Sequence, residues 1–275
     1  MSRTPTFILG SGLAARATHG HDADRYVQIG SLTKVVTGTA LVRMAQAGVV
    51  ELDDPVERWL PAAPGTGITL RNLADHTSGL PRLPPGVRRR DPYRSFDETA
   101  LLSVLRDLDR IVTAPAGQDE EYSNLGYAVL GAALCAAAGL PYEELIRGHV
   151  LDPLGIDRMT ARPPAEGRLL ATGLWGRPLK PWTMTGAVLP AGGLWATPTA
   201  AARLLTGLLV DRVLGEPAPS WQRTGGVTWH NGATRGASVF AGALTDGRWV
   251  LVHRLGGSPE ATDRMGAELL ARRGA

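Results

Sequence analysis

The sequence predicts an α+β protein: an antiparallel sheet flanked by helices, with a helical subdomain inserted between the sheet's two halves. Three observations carry this. Strand patterns gather near both chain ends, helical periodicity dominates the middle, and 275 residues with 44% apolar content can bury one large core or two subdomains sharing a cleft. There is no internal repeat and no long linker, so residues 1–275 read as one domain, with the helical subdomain at roughly 76–175.

The first strand is the apolar stretch Thr6 to Leu9, followed by a glycine-rich turn. A helix then runs from Ser31 to about Ala47, with Leu32, Val35, Val36, Ala40 and Leu41 at helical spacing and Gly48 as its stop. Proline fills the connection from Pro81 to Pro92, after which Asp97 caps a helix to about Leu108. Another helix covers Leu125 to Ala138 and breaks at Gly139-Leu140-Pro141, before a short helix carrying Leu145 and Ile146. Thr197-Pro198 starts a helix whose stripe is Leu204, Leu205, Leu208 and Leu209. Near the end, alternation from Ala237 to Thr245, the turn Asp246-Gly247 and the run Arg248 to Leu255 make a hairpin. Ser258-Pro259 opens a last helix with Met265, Leu269 and Leu270 on its apolar face.

Composition excludes several classes. The pI is near 9.3, but the net charge is only +3 and the densest basic run, Arg88-Arg89-Arg90, sits in the proline-rich loop without interleaved aromatics. No nucleic-acid partner is expected. From Met1 to Gly12 no charged segment precedes a sustained apolar run, so neither a secretory signal nor a membrane span is expected, and the expected location is the cytoplasm. The single cysteine, Cys135, lies in an alanine-rich run and reads as a small core residue. His19 and His21 read as a polar turn, no cluster has metal-ligand spacing, and no metal or cofactor is expected. No feature specifies an oligomeric state.

The chain has two lysines, Lys34 and Lys180, among many arginines. Lys34 closes Ser31-Leu32-Thr33-Lys34, and residues i and i+3 share a helix face, so its amine can reach the Ser31 hydroxyl. Arginine cannot accept a proton at neutral pH, but a buried lysine can, and would activate Ser31 as a nucleophile. The alternative is an ordinary helix start, with Ser31 as N-cap and Lys34 solvated. A second segment, Tyr122-Ser123-Asn124, precedes an apolar helix. Beside an ammonium, Tyr122 would have a lowered pKa and become a second proton acceptor, and Asn124 could orient a carbonyl; alternatively Asn124 is a cap and Tyr122 a half-buried core residue. A third, His230-Asn231-Gly232-Ala233, lies on or just before an edge strand, where glycine admits a ligand to the backbone; alternatively His230 is a surface strand histidine.

In this order and on these elements, the three segments resemble the Ser-x-x-Lys, Tyr-x-Asn and Lys/His-x-Gly motifs of the penicillin-recognising serine enzymes. Within them the chain is similar to the class C β-lactamase and serine DD-peptidase branch with its esterase relatives. Ile68 to Pro81, ending in His76-Thr77-Ser78-Gly79-Leu80-Pro81, and Gly192-Gly193-Leu194 add to a resemblance that covers nearly the whole chain. It implies a β-lactamase/transpeptidase-like fold and an acylated Ser31, with Lys34 and Tyr122 sharing its proton. Asn124, His230, Asn231 and Gly232 would line the substrate site, and the backbone N–H groups of Ser31 and Ala233 would form the oxyanion hole.

His230 stands where those enzymes often have lysine, and Asn231 where the lactamases usually have threonine, which points away from recognition of a β-lactam carboxylate. The expected function is a serine hydrolase cleaving an ester or amide of a small molecule, with lactams chemically accessible. The alternatives are an acyltransferase in a biosynthetic pathway and a penicillin-binding-like sensor without turnover. Trp175, Trp182 and Trp195 bracket a Gly/Pro-rich stretch and either wall an apolar acyl pocket or serve as core contacts.

Overall fold

The structure is a computed structural model, which describes residues 4–86 and 90–272. Arg88 and Arg89 of the basic run lie outside the described residues, and Arg90 is exposed.

The chain opens with strands β1 (Thr6–Gly10), β2 (Leu13–Thr18) and β3 (Val27–Gln28), then a 3-10 turn, Gly30–Leu32, that leads into helix α1 (Thr33–Gln46). Helices α2 (Leu70–Ala74), α3 (Glu98–Arg106), α4 (Leu108–Ile111), α5 (Asn124–Ala138) and α6 (Tyr142–Ile146) follow. Strand β4 (Met159–Thr160), helix α7 (Leu189–Gly192), strand β5 (Trp195–Ala196) and helix α8 (Pro198–Leu205) return the chain to the sheet. It ends with β6 (Gln222–Thr224), β7 (Val227–Ala233), β8 (Ala237–Leu244), β9 (Trp249–Leu255) and helix α9 (Pro259–Ala271).

The main sheet has the order β2-β1-β9-β8-β7-β6, and each pairing is antiparallel. Strands from the two chain ends therefore meet at β1 and β9, as in the predicted α+β class. The hairpin turn is tied by Leu244 N–H to Arg248 O at 2.7 Å and by the Asp246 carboxylate. Helix α9 packs its Leu270 against Phe240, Val250 and Val252 on one face of the sheet. The other face meets a single apolar core that takes in α1, α2 and α5, where Leu32, Val35, Val36, Leu41, Leu70, Leu73, Leu125 and Tyr127 are all essentially inaccessible.

Caps explain most helix starts. Asp97, Thr197 and Ser258 accept from the N–H three residues on, at 2.9, 3.2 and 3.2 Å. Three details differ from the sequence reading. Strand β2, exposed along its length, lacks the apolar alternation that betrays a strand. The alternative with Ser31 as N-cap falls away, because the preceding turn is helical already at Gly30 and no side chain caps α1. His21 is no polar turn: it is buried against His253, with its Nε2 2.9 Å from His253 Nδ1. Cys135 is only partly buried, and burial nonetheless pushes its thiol up to about 11.

Candidate active site

The helical wall of the site begins at Lys34. Its side chain is fully buried, which strips water from the ammonium and pushes its pKa well below the ordinary lysine value, with the Arg82 charge adding to the effect. Lys34 Nζ lies 2.7 Å from Asn124 Oδ1, 2.6 Å from Ala191 O and 3.3 Å from Ser31 Oγ. A neutral amine has two N–H donors and one lone pair. The two carbonyl oxygens can take only N–H, so the lone pair is left for the serine hydroxyl.

The second and third arms of this wall reach Lys34 by different routes. Ser123 caps α5 by accepting from Gly126 N–H at 2.8 Å, so Asn124 is the first helical residue and not the cap, its carboxamide free to turn toward Lys34. That carboxamide also donates to Tyr93 Oη at 2.7 Å, which anchors its far end. Ala191 arrives on α7, held to α1 by Thr37, whose hydroxyl donates to Pro190 O at 2.7 Å, and by Leu194 N–H donating to Thr33 Oγ1 at 3.2 Å.

Tyr122 stands over the cluster, with its ring centroid 4.7 Å from Lys34 Nζ. The expected lowering of its pKa is reversed. Burial pushes the phenol up to about 12, only partly opposed by the Ser31 hydroxyl and the Arg82 charge. Behind it, His76 takes a left-handed backbone (φ 65°) that braces both sides of Tyr122: its carbonyl accepts Glu121 N–H at 2.8 Å and its Nδ1 accepts Ser123 N–H at 3.1 Å. The His76 and Tyr122 rings are 4.5 Å apart, and burial with the nearby Lys34 and His230 holds His76 neutral, down to about 3.

The strand wall is β7. Strand β6 pairs only with Val227 to Trp229, so from His230 onward the edge of β7 faces the Ser31 turn. A Cβ on Gly232 would sit 2.1 Å from Ile29 O and 3.0 Å from Ser31 N, and one on Gly30 (φ 50°) would sit 2.8 Å from Ala233 N. Only glycines permit this approach, which brings the N–H groups of Ser31 and Ala233 into one small space. His230 is buried on the site side and held neutral by burial and by the Lys34 site, down to about 4.

Asn231 departs from the expected substrate-lining role. Side chains alternate along a strand, so with His230 and Gly232 inward it faces α9, where its Nδ2 donates to Asp263 Oδ2 at 2.8 Å. The three tryptophans do not form one pocket either. Trp175 is 94% exposed, Trp195 is buried in β5, and only Trp182 nears the site, edge-on to Tyr93 at 6.5 Å. Among the described residues no three His, Cys, Asp or Glu side chains converge to hold a metal. No single described helix is long and apolar enough to cross a membrane.

Tyr93 and the Ala191 carbonyl were missed in the sequence. Neither lies in a motif, and they contact residues 31 and 157 positions away. His76 had a signal, the segment that ends at Pro81, but not its role.

The chain is 35% identical over 182 residues to the D-alanyl-D-alanine-carboxypeptidase/endopeptidase AmpH of Escherichia coli, covering 64% of this chain and 46% of that protein, so it spans about half of that relative's length. The octameric penicillin-binding protein homologue from Pyrococcus abyssi superimposes with a TM-score of 0.81 at 20% identity, over 98% of this chain and 74% of that one. The D-amino acid amidase from Ochrobactrum anthropi SV3, complexed with L-phenylalanine, gives 0.79 at 19% identity over 97% and 92%. The fold is thus β-lactamase/transpeptidase-like, and since residues 4–264 match the Beta-lactamase family, the chain belongs to that family.

Proposed function

We propose that the protein is a serine hydrolase that cleaves an ester or amide of a small molecule through a Ser31 acyl-enzyme. One observation carries the reading: Lys34 is buried, and its Nζ lies 2.7 and 2.6 Å from two carbonyl oxygens and 3.3 Å from Ser31 Oγ, so that in the deprotonated amine the two N–H groups go to the carbonyls and the lone pair is left for the serine hydroxyl. In the acylation step Ser31 Oγ attacks the carbonyl carbon while Lys34 Nζ takes its proton. The negative charge that develops on the carbonyl oxygen is met by the N–H groups of Ser31 and Ala233. Tyr122, protonated at neutral pH, acts as a proton relay from Lys34 to the leaving group; this differs from a phenolate base. Water then attacks the acyl-enzyme, with the same groups returning the proton to Ser31. Neutral His230 packs the strand wall without bringing a charge to the reacting atoms. The amide chemistry in the names of the two relatives supports amides beside esters as substrates.

Intact-protein mass spectrometry tests this. Wild type mixed with an activated ester and, separately, with a penicillin should gain the acyl mass transiently, and Ser31→Ala should gain none. An equal adduct on Ser31→Ala would place the nucleophile elsewhere, and a wild-type adduct that never decays would replace the hydrolase with a non-turnover trap.

A further inference from the structure

Arg82 brings to the cleft a charge that the chemistry above does not use. Arg82 directly follows the segment that ends at Pro81, and its backbone is fixed at the rim: Arg82 O accepts Asn124 N–H at 3.0 Å, and the neighbouring Pro81 O accepts the Ser123 hydroxyl at 2.8 Å. Its side chain is exposed and its guanidinium carbon lies 5.3 Å from the Tyr122 ring centroid, over the ring that also faces Lys34. Such a contact holds an arginine in place without neutralising it. No ion pair among the described residues involves Arg82. The strand wall supplies no cation at the third motif, where His230 is buried and Asn231 turns away to Asp263.

We propose that Arg82 selects substrates with a free carboxylate on the acyl portion, so that the preferred donors are half-esters or half-amides of short dicarboxylic acids. The guanidinium fork matches a carboxylate through two parallel hydrogen bonds. The acyl side is assigned because Arg82 and Asn124 are joined through their main chains. An acyl chain that leaves the Ser31-bound carbonyl beside Asn124 would follow the segment whose main chain carries Arg82, with the guanidinium over the Tyr122 ring. This rests on the Ser31 acyl-enzyme reading. The cation absent from β7 is thereby supplied on the opposite wall.

The experiment compares p-nitrophenyl butyrate with p-nitrophenyl hemiglutarate, which share a leaving group and differ in one acyl carboxylate. Wild type should favour the charged ester in kcat/KM, and Arg82→Gln should lower kcat/KM for it at least about tenfold more than for the neutral one, mainly through KM. Arg82→Glu should invert the preference, Arg82→Lys should restore part of it, and the wild-type preference should shrink with added salt. Equal losses on both esters would reduce Arg82 to a structural role and overturn the proposal. So would an Arg82-dependent preference that appears only when the carboxylate is moved to the leaving group. If wild type turns over neither ester, the acyl-enzyme reading fails separately. Arg82 is then judged by whether glutarate raises the melting temperature of wild type and not of Arg82→Gln, and no rise in wild type overturns the proposal.

Discussion

The two walls of the cleft are built on opposite principles. The helical wall works through side chains: Lys34, Asn124 and Tyr93 form a chain of polar groups, each held by a bond under 3 Å, and the helices that carry Lys34 and Asn124 are pinned by a hydroxyl and by a cap. The strand wall works through the main chain, and its side chains matter chiefly by being small, as at Gly232, or uncharged, as at His230. The helical wall should therefore be sensitive to removal of a functional group, and the strand wall to addition of an atom.

The sharpest break of that contrast is Lys34→Arg. It removes the proton acceptor and forces a permanent charge into a fully buried site, so turnover of a chromogenic ester should fall by about 10³ or more. A melting curve on the same sample separates this from loss of the fold. Wild-type turnover in this variant would remove Lys34 from the mechanism.

Next is Gly232→Ala, which adds a single methyl. Its Cβ would collide with Ile29 O at 2.1 Å and force β7 from the Ser31 turn, so kcat should drop by about 10²- to 10³-fold, as when an oxyanion donor is lost. Unchanged kcat would mean that the N–H pair is not needed. Tyr93→Phe should cost less, about tenfold in kcat/KM, because Asn124 keeps its bond to Lys34 and loses only its second anchor.

Acid should act on both walls together. His76 and His230 are held neutral to about 3 and 4, and His21 and His253, whose pair donates onward to Gln28 O at 3.1 Å just ahead of the nucleophile turn, to about 4 and 3. Each folded pKa is depressed, so the unfolded chain binds more protons below its ordinary value of about 6.5. Stability is then complete above that pH and falls as the pH drops toward 4. Urea midpoints measured from pH 8 to 4 should show the decline, and His253→Gln should flatten it. A flat wild-type profile would contradict the burial of these rings.

The smallest effect belongs to Asn231→Ala. Facing α9, it should leave turnover within about twofold and cost about 1 kcal/mol of stability through the lost bond to Asp263. A large loss of activity without unfolding would return Asn231 to the substrate site.

How much of this was legible depends on the distance over which each contact acts. Ser31 and Lys34 meet within one helical turn, so their spacing alone placed them together. Asn231 was misplaced although strand parity, applied to His230 and Gly232, would have turned it outward. Tyr122 was placed beside Lys34, but the sign of its pKa shift depended on burial, which no local pattern reports. His21 and His253 meet across 232 residues, and nothing near either foretells the other.

The sequence by itself determined the α+β class, the order of the elements and the functional groups presented at three short segments, because helical and strand periodicity and cap chemistry act over a few residues. Only the tertiary structure decided that Lys34 is dehydrated, that the Ala191 and Asn124 oxygens both accept from it, that glycines bring β7 against the nucleophile turn, and that Arg82 stands unpaired among the described residues at the rim. Those are facts of burial and of approach between distant segments, and the free energy of a charge or a hydrogen bond depends on what the rest of the chain leaves around it.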